Sequence, residues 1–161
     1  MKKILSAIGL AFSLWCVLVS PVAVLAESDN INISGEVPSS IVIDVPDDIT
    51  LDSMVPGTVV TSDVQTVTVT SNATTWSLKV AEYEGDSDGK MAQVNFHPMT
   101  NPLQVKGGDT GYSSLASIVT LKASGSGSMS INDIYFQQVV ASNEAPGTYS
   151  ITVVFTVTTG A

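Results

Sequence analysis

The sequence predicts an all-β protein, a single antiparallel β-sandwich of the immunoglobulin-like or Greek-key type. Apolar residues recur at every second position along much of the chain, which is the period of a strand buried on one face. Turn-forming segments rich in Gly, Pro, Ser and Asp return roughly every ten residues, as in sandwiches of short strands. No segment carries an apolar stripe of helical period over three turns, and residues 113–122 are the only place where we expect even a short helix.

The clearest predicted strand is the C-terminal segment, residues 149–158. Pro146 and Gly147 precede it and favour a turn, since proline presets its backbone angle and glycine tolerates positive φ. Ser and Thr dominate one face of the segment, with Val154 as the exception. The opposite, apolar face is expected to point into the core and comprises Tyr149, Ile151, Val153, Phe155 and Val157.

Residues 64–71 and 75–81 show the same alternation and are joined by a short polar connection, so we predict that they form a hairpin. Trp76, Leu78 and Val80 share one face of the second segment. A large aromatic residue in line with aliphatic residues is typical of a core, where its burial stabilises the fold by about 3 kcal/mol or more. An exposed Trp76 that stacks on sugar rings is the alternative.

Weaker alternation predicts further strands between turn-forming segments. The Ser-Gly run at residues 124–128 is too short for an interdomain linker and is expected to be a flexible loop. The weaker strand candidates are residues 31–34, 40–45, 93–95, 103–106, 118–121 and 130–140.

The first residues, 1–26, predict an export signal. Two lysines begin the segment, residues 4–19 are uncharged and apolar, and Pro21 and the small Ala26 favour cleavage at its end. The remaining β-sandwich domain, residues 27–161, is then expected to be secreted, extracellular and associated with the cell surface. An uncut membrane anchor stays open as an alternative, since the uncharged stretch is long enough to span a bilayer.

The only cysteine, Cys16, lies inside the predicted signal. The bulky Trp15 precedes it where a lipoprotein signal needs a small residue, so lipidation is not expected. Signal removal would leave a domain without a disulfide, a thiolate metal site or a cysteine nucleophile.

The charge of the domain excludes several partners. After loss of the two N-terminal lysines, four lysines face 15 acidic residues with no arginine, a net charge of 4 − 15 = −11. Nucleic acid binding gains most of its affinity from cations that replace counterions at phosphates, and this chain cannot supply them. Insertion into a membrane after signal cleavage and binding to anionic membrane surfaces are not expected either.

The residue inventory argues against an enzyme. A serine triad needs an imidazole between nucleophile and carboxylate, and the single histidine, His97, lies beside Pro98 in a turn-like context. After loss of Cys16 with the signal, a zinc site would need three carboxylates beside the single histidine, which is an unusual ligand set for zinc. We therefore expect a noncatalytic protein without a resident cofactor.

Calcium is the one metal that the sequence suggests. Glu84, Asp86 and Asp88 alternate before Gly89, and calcium prefers such hard oxygen ligands. Asn95 stands where a closing bidentate acid is expected, so a solvated hairpin tip is the preferred interpretation and a calcium site is the alternative. A second acidic run, expected in an exposed loop, comprises Asp44, Asp47, Asp48 and Asp52.

Two separate segments resemble a known family. The segment around Trp76-Ser77-Leu78 and the C-terminal residues 147–158 are similar to the two signature segments of WxL-domain proteins of bacterial surfaces. Where that family has a second Trp-x-Leu, this chain has Phe-Thr-Val. The resemblance implies a secreted β-rich module that attaches noncovalently to the cell wall.

These observations leave three functional hypotheses. The first is a noncatalytic cell-surface or wall-associated adhesion module whose partner is a cell-wall polymer or another surface protein. The second is a self-associating filament subunit, pilus-like or of a biofilm fibre, in which residues 27–37 donate a strand to a neighbour and the C-terminal strand accepts one. The third is a carbohydrate-binding module, for which the available aromatic residues are Tyr83, Tyr112 and Tyr135.

Overall fold

A computed structural model describes residues 32–83, 88–94 and 97–160. Every regular element in these ranges is a β-strand, and the strands form two antiparallel sheets packed together as a β-sandwich, which confirms the predicted fold class. The described residues hold no helix of the length and apolarity needed to cross a membrane. In chain order the strands are β1 (Ile41–Asp44), β2 (Val59–Thr61), β3 (Gln65–Ser71), β4 (Trp76–Glu82), β5 (Gln104–Gly107), β6 (Thr110–Ser114), β7 (Val119–Gly125), β8 (Met129–Val139) and β9 (Val153–Thr159).

The chain divides into two units, Met1–Glu36 and Val37–Ala161. Of the first unit the structure describes residues 32–36, which are exposed and form no strand. The predicted signal, residues 1–26, lies outside the described residues. The second unit contains all nine of the described strands.

The larger sheet has the strand order β1-β3-β8-β5-β6, and β2 pairs with the C-terminal end of β8. Ser62 lies between β2 and β3 in the chain and continues their pairing with β8, because it hydrogen-bonds to both backbone groups of Phe136. Its amide donates to the Phe136 carbonyl at 2.8 Å, and its hydroxyl accepts from the Phe136 amide at 3.0 Å. Along β8, the Ser62 hydroxyl therefore takes the place of a backbone carbonyl acceptor between the residues paired with β2 and those paired with β3.

The smaller sheet has the order β7-β4-β9. The predicted hairpin of residues 64–71 and 75–81 is wrong, because β3 and β4 lie in different sheets and the polar connection between them crosses the sandwich. Alternation specifies which face of a strand is buried and leaves its partner open. Both inward rows still meet in the core, where Trp76, Leu78 and Val80 are almost fully buried.

Other strand predictions have mixed outcomes. Strands at 40–45, 103–106, 118–121 and 130–140 are confirmed as β1, β5, β7 and β8. Residues 32–34 form no strand, and at 93–95 the described Gln93 and Val94 form none, although Ala92 makes isolated bridges to Pro98 and Ser150.

The C-terminal strand begins at Val153, four residues later than predicted. The short helix allowed at 113–122 is absent, because the end of β6 and the start of β7 occupy that range. Both β2 and β6 are short strands that weak alternation did not reveal.

Candidate functional site

Lys106 lies between two tyrosine rings on the outer surface of the larger sheet. Its Nζ is 4.8 Å from the ring centre of Tyr135 on β8 and 5.3 Å from that of Tyr112 on β6. The register places Lys106 directly opposite Tyr135. Because the flanking Val105 and Gly107 are buried, the alternation of β5 turns the lysine outward.

Two glutamines extend this surface along the same strands. Gln104 lies opposite Gln137, and the Gln137 side-chain amide donates to the Thr61 hydroxyl on β2 at 3.2 Å. Each amide offers both donors and acceptors. We call this surface the tyrosine–lysine face, and it comprises Gln104, Lys106, Tyr112, Tyr135 and Gln137.

The tyrosine–lysine face combines three kinds of interaction. Tyrosine rings offer apolar area with a polar hydroxyl at the edge, and amides suit ligands rich in hydroxyl groups. The ammonium group adds a positive charge, and among the described residues it has no carboxylate partner. By contrast, Lys122 Nζ is bound to the Asp109 carboxylate at 2.8 Å. Such a face suits a flat, hydroxylated ligand with an anionic group.

The sequence alone does not place these tyrosines on one surface. Tyr112 and Tyr135 are far apart in the chain, and the pairing of β5 with both β6 and β8 brings them to the same lysine. Tyr83, the third candidate, is 55% exposed and follows β4 in the smaller sheet, away from this face. The sign of this face in the sequence is the alternation of Gln104 and Lys106, and a strand of four residues is too short for its outward side to be predicted from alternation.

Trp76 takes no part in a binding surface. The residue is 1% exposed, and its indole Nε1 donates to the Gly127 carbonyl at 2.8 Å. The prediction that it lies in the core is confirmed, and the alternative of sugar stacking is wrong. The two segments that resemble the WxL signatures lie on adjacent strands, since Leu78 pairs with Val157 and Val80 with Phe155.

The predicted calcium ligands are only partly described. Glu84 and Asp86 lie outside the described residues, whereas Asp88 is exposed and has a φ of 53° before Gly89 with a φ of 72°. The Gly89 amide donates to Glu82 Oε2 at 2.7 Å. In the described ranges no three His, Cys, Asp or Glu side chains are grouped to hold a metal ion. Calcium binding by residues 84–88 stays a prediction.

The remaining polar candidates are dispersed. His97 is exposed, and its backbone carbonyl accepts from the Gln93 amide at 3.2 Å. All four aspartates of the second acidic run are exposed, but Asp44 ends β1 and only the other three lie in the expected loop. Two of these three line a groove. These members are Asp47 and Asp48.

That groove, of about 460 Å³, opens where the segment after β1 faces the segment leading into β9. Its lining is mainly apolar and reaches the core at Phe136. The Phe136 ring meets that of Phe155 edge to face, with ring centres 6.4 Å apart. The groove is therefore a place where the core is accessible from outside.

The sequence matches no protein-family model, and no match is found among curated proteins.

Proposed function

We propose that this protein is a noncatalytic, secreted binding module that attaches noncovalently to a cell-wall polymer at the bacterial surface. The tyrosine–lysine face is the observation that carries the proposal. The resemblance to WxL-domain proteins and the predicted export signal support the same location. Binding to another surface protein is the competing partner class.

The chemistry of the face favours a glycan that carries phosphate or carboxylate groups. Tyr112 and Tyr135 offer ring area for sugar faces, and Gln104 and Gln137 offer hydrogen bonds to hydroxyls. Lys106 gives this area a local positive charge on a chain whose overall charge is strongly negative. An anionic group at the lysine would be attracted locally, and physiological salt screens the repulsion from exposed acidic residues farther than about 8 Å away.

The test is a pelleting experiment with the exported chain, residues 27–161, and isolated cell envelopes. We expect the protein to sediment with the envelopes, and Lys106→Gln and Tyr135→Ala to weaken binding by about tenfold each, the loss of one good contact. Lys79→Gln is the matched control, because it removes the same charge from the outer face of the smaller sheet. Protein that stays in the supernatant counts against the proposal, and so does equal binding by Lys106→Gln and Lys79→Gln.

Two further arms separate the partner classes. Protease treatment of the envelopes should leave binding intact if the partner is a polymer, and abolish it if the partner is a surface protein. Raising salt should weaken binding of the parent protein more than binding of Lys106→Gln, since only the parent presents the charge. Strong binding to neutral soluble sugars instead would favour a general carbohydrate-binding module.

A further inference from the structure

The described residues 32–37, before β1, carry the pattern of a strand without forming one. Ile33, Gly35 and Val37 stand at alternate positions, and polar residues lie between. Ile33 is 90% exposed and Val37 is 85% exposed. We call residues 32–37 the N-terminal arm. Apolar side chains at this spacing lie on one face of an extended segment, and covering that face would stabilise the arm by removing them from water.

In the part of the chain that the structure describes, the edge of the smaller sheet at β9 is incompletely covered. Trp76, Leu78 and Val80 of the central strand β4 are buried, whereas the inward row of β9 is only half-buried. Val153 and Phe155 of that row line the groove described above. Within the described residues β9 pairs with β4 alone, so its outer backbone edge has no strand beside it.

The two sheets are also unequal. The smaller sheet has three strands, and the larger sheet has five in its continuous order. Since β1 of the larger sheet contacts β9, one strand added beside β9 would lie near β1. β9 spans seven residues and the described arm spans six, so an added strand would nearly match the edge in length.

We propose that the N-terminal arm of one copy adds to the free edge of β9 in a second copy, with Ile33 and Val37 in the groove. This is strand addition, in which backbone hydrogen bonds supply affinity and alternate side chains fill an apolar slot. The assembly would propagate, because each copy offers one arm and one β9 edge that differ from each other.

The root of the arm explains why a second copy is the occupant. The Asn72 side chain fixes residues 38–40, since its Oδ1 accepts from the Ser40 amide at 2.7 Å and its Nδ2 donates to the Pro38 carbonyl at 3.0 Å. The end of β9 lies at the same connection, where the Gly160 amide donates to the Thr75 carbonyl at 3.0 Å. An arm extending from this root along its own β9 would run parallel to that strand. The arm of another copy is free to pair antiparallel, as every paired strand of both sheets does.

Disulfide trapping tests the contact between copies, and a chain without native cysteine after residue 26 gives a clean background. Ser34→Cys in one preparation and Thr156→Cys in another place thiols on the outward positions of the arm and of β9. Mixing the two under mild oxidation should give crosslinked dimers of the two variants. Thr120→Cys, on the opposite edge strand β7, is the control and should give none with Ser34→Cys. Equal crosslinking to both edges overturns the proposal.

Sedimentation and electron microscopy of the exported chain test the assembly itself. Ile33→Asp should weaken self-association by about 10- to 100-fold, the worth of burying one large aliphatic side chain. Val42→Asp is the control, because Val42 is an exposed valine on the outer face of the larger sheet. Assembly that survives Ile33→Asp, or a protein that stays monomeric with the arm intact, overturns the proposal. So does a Ser34→Cys, Thr156→Cys double variant that closes only within one chain. Envelope binding by Ile33→Asp is measured in parallel, so that failure of assembly is distinguished from failure of wall attachment.

Discussion

Trp76 packs directly over Gly125, its cross-strand neighbour on β7. A Cβ placed on Gly125 would overlap Cζ2 of the indole ring, well inside van der Waals contact. The largest side chain of the core thus depends on the smallest residue beside it. The glycine is required here by space, because the indole fills the position of its side chain.

Gly125→Ala should therefore destabilise the protein. The added methyl group forces the indole or the strand to move, and overpacking of this kind costs about 1–3 kcal/mol. Urea unfolding followed by tryptophan fluorescence measures the change. Gly111→Ala on β6 is the matched control, because no atom lies within 4 Å of its Cβ position. Equal stability of the two variants would contradict the packing described for Trp76.

Ser62→Ala should lower the stability of the protein by more than the removal of one small hydroxyl group suggests. The hydroxyl accepts from the Phe136 amide at 3.0 Å inside the sheet, and its loss leaves that buried donor unsatisfied. Such a loss costs about 1–3 kcal/mol. Faster hydrogen exchange at the Phe136 amide would localise the effect. Ser113→Ala, which removes an exposed hydrogen bond to the Gly111 carbonyl, should change stability by less than about 0.5 kcal/mol.

Asp109 should contribute to stability in a pH-dependent way. The hydrogen bond from Lys122 is the main cause that lowers the pKa of the Asp109 carboxyl, and a hydrogen bond from the Ala123 amide adds to it. A carboxyl whose pKa is lower in the folded state stabilises the fold above its unfolded pKa. This contribution is lost as pH falls through the folded pKa.

The stability difference between the parent and Asp109→Asn is therefore expected at neutral pH and should vanish in acid. Urea unfolding measured between neutral pH and pH values below the ordinary range of an aspartate checks this. NMR titration of the Asp109 carboxyl gives its pKa independently. A difference that persists unchanged in acid would show that the substitution acts through something other than charge.

Alternation predicted what each strand buries and could not predict its partners. Trp76 and Leu78 face the core as expected, yet their strand pairs with β7 and β9 and not with β3. A period of two specifies a face, whereas the partner depends on how the whole chain closes the core. The same limit hid the tyrosine–lysine face, because Lys106 meets Tyr112 and Tyr135 only through the registers of three strands.

Gln138 shows a second limit of the pattern. This polar residue occupies an inward position of β8 and is fully buried. Its Nε2 donates to the carbonyls of Asn101 and Val139, both at 3.0 Å. The sequence position alone gives no sign of these acceptors, which a loop and the next residue supply. A polar residue in the core is therefore predicted only when its partners are known.

The crossing of the chain between the sheets also sets the order in which the protein can fold. Within the described strands, β5 and β6 form the only pair of consecutive neighbours, and the others join distant parts of the chain. Contacts between distant segments close slowly, so refolding is expected in the range of about milliseconds to seconds. The central strand of the smaller sheet, β4, can pair on both sides only after β9, about 70 residues later in the sequence, is available. A chain still emerging from the ribosome would have no second neighbour for β4 until residues 153–159 were made.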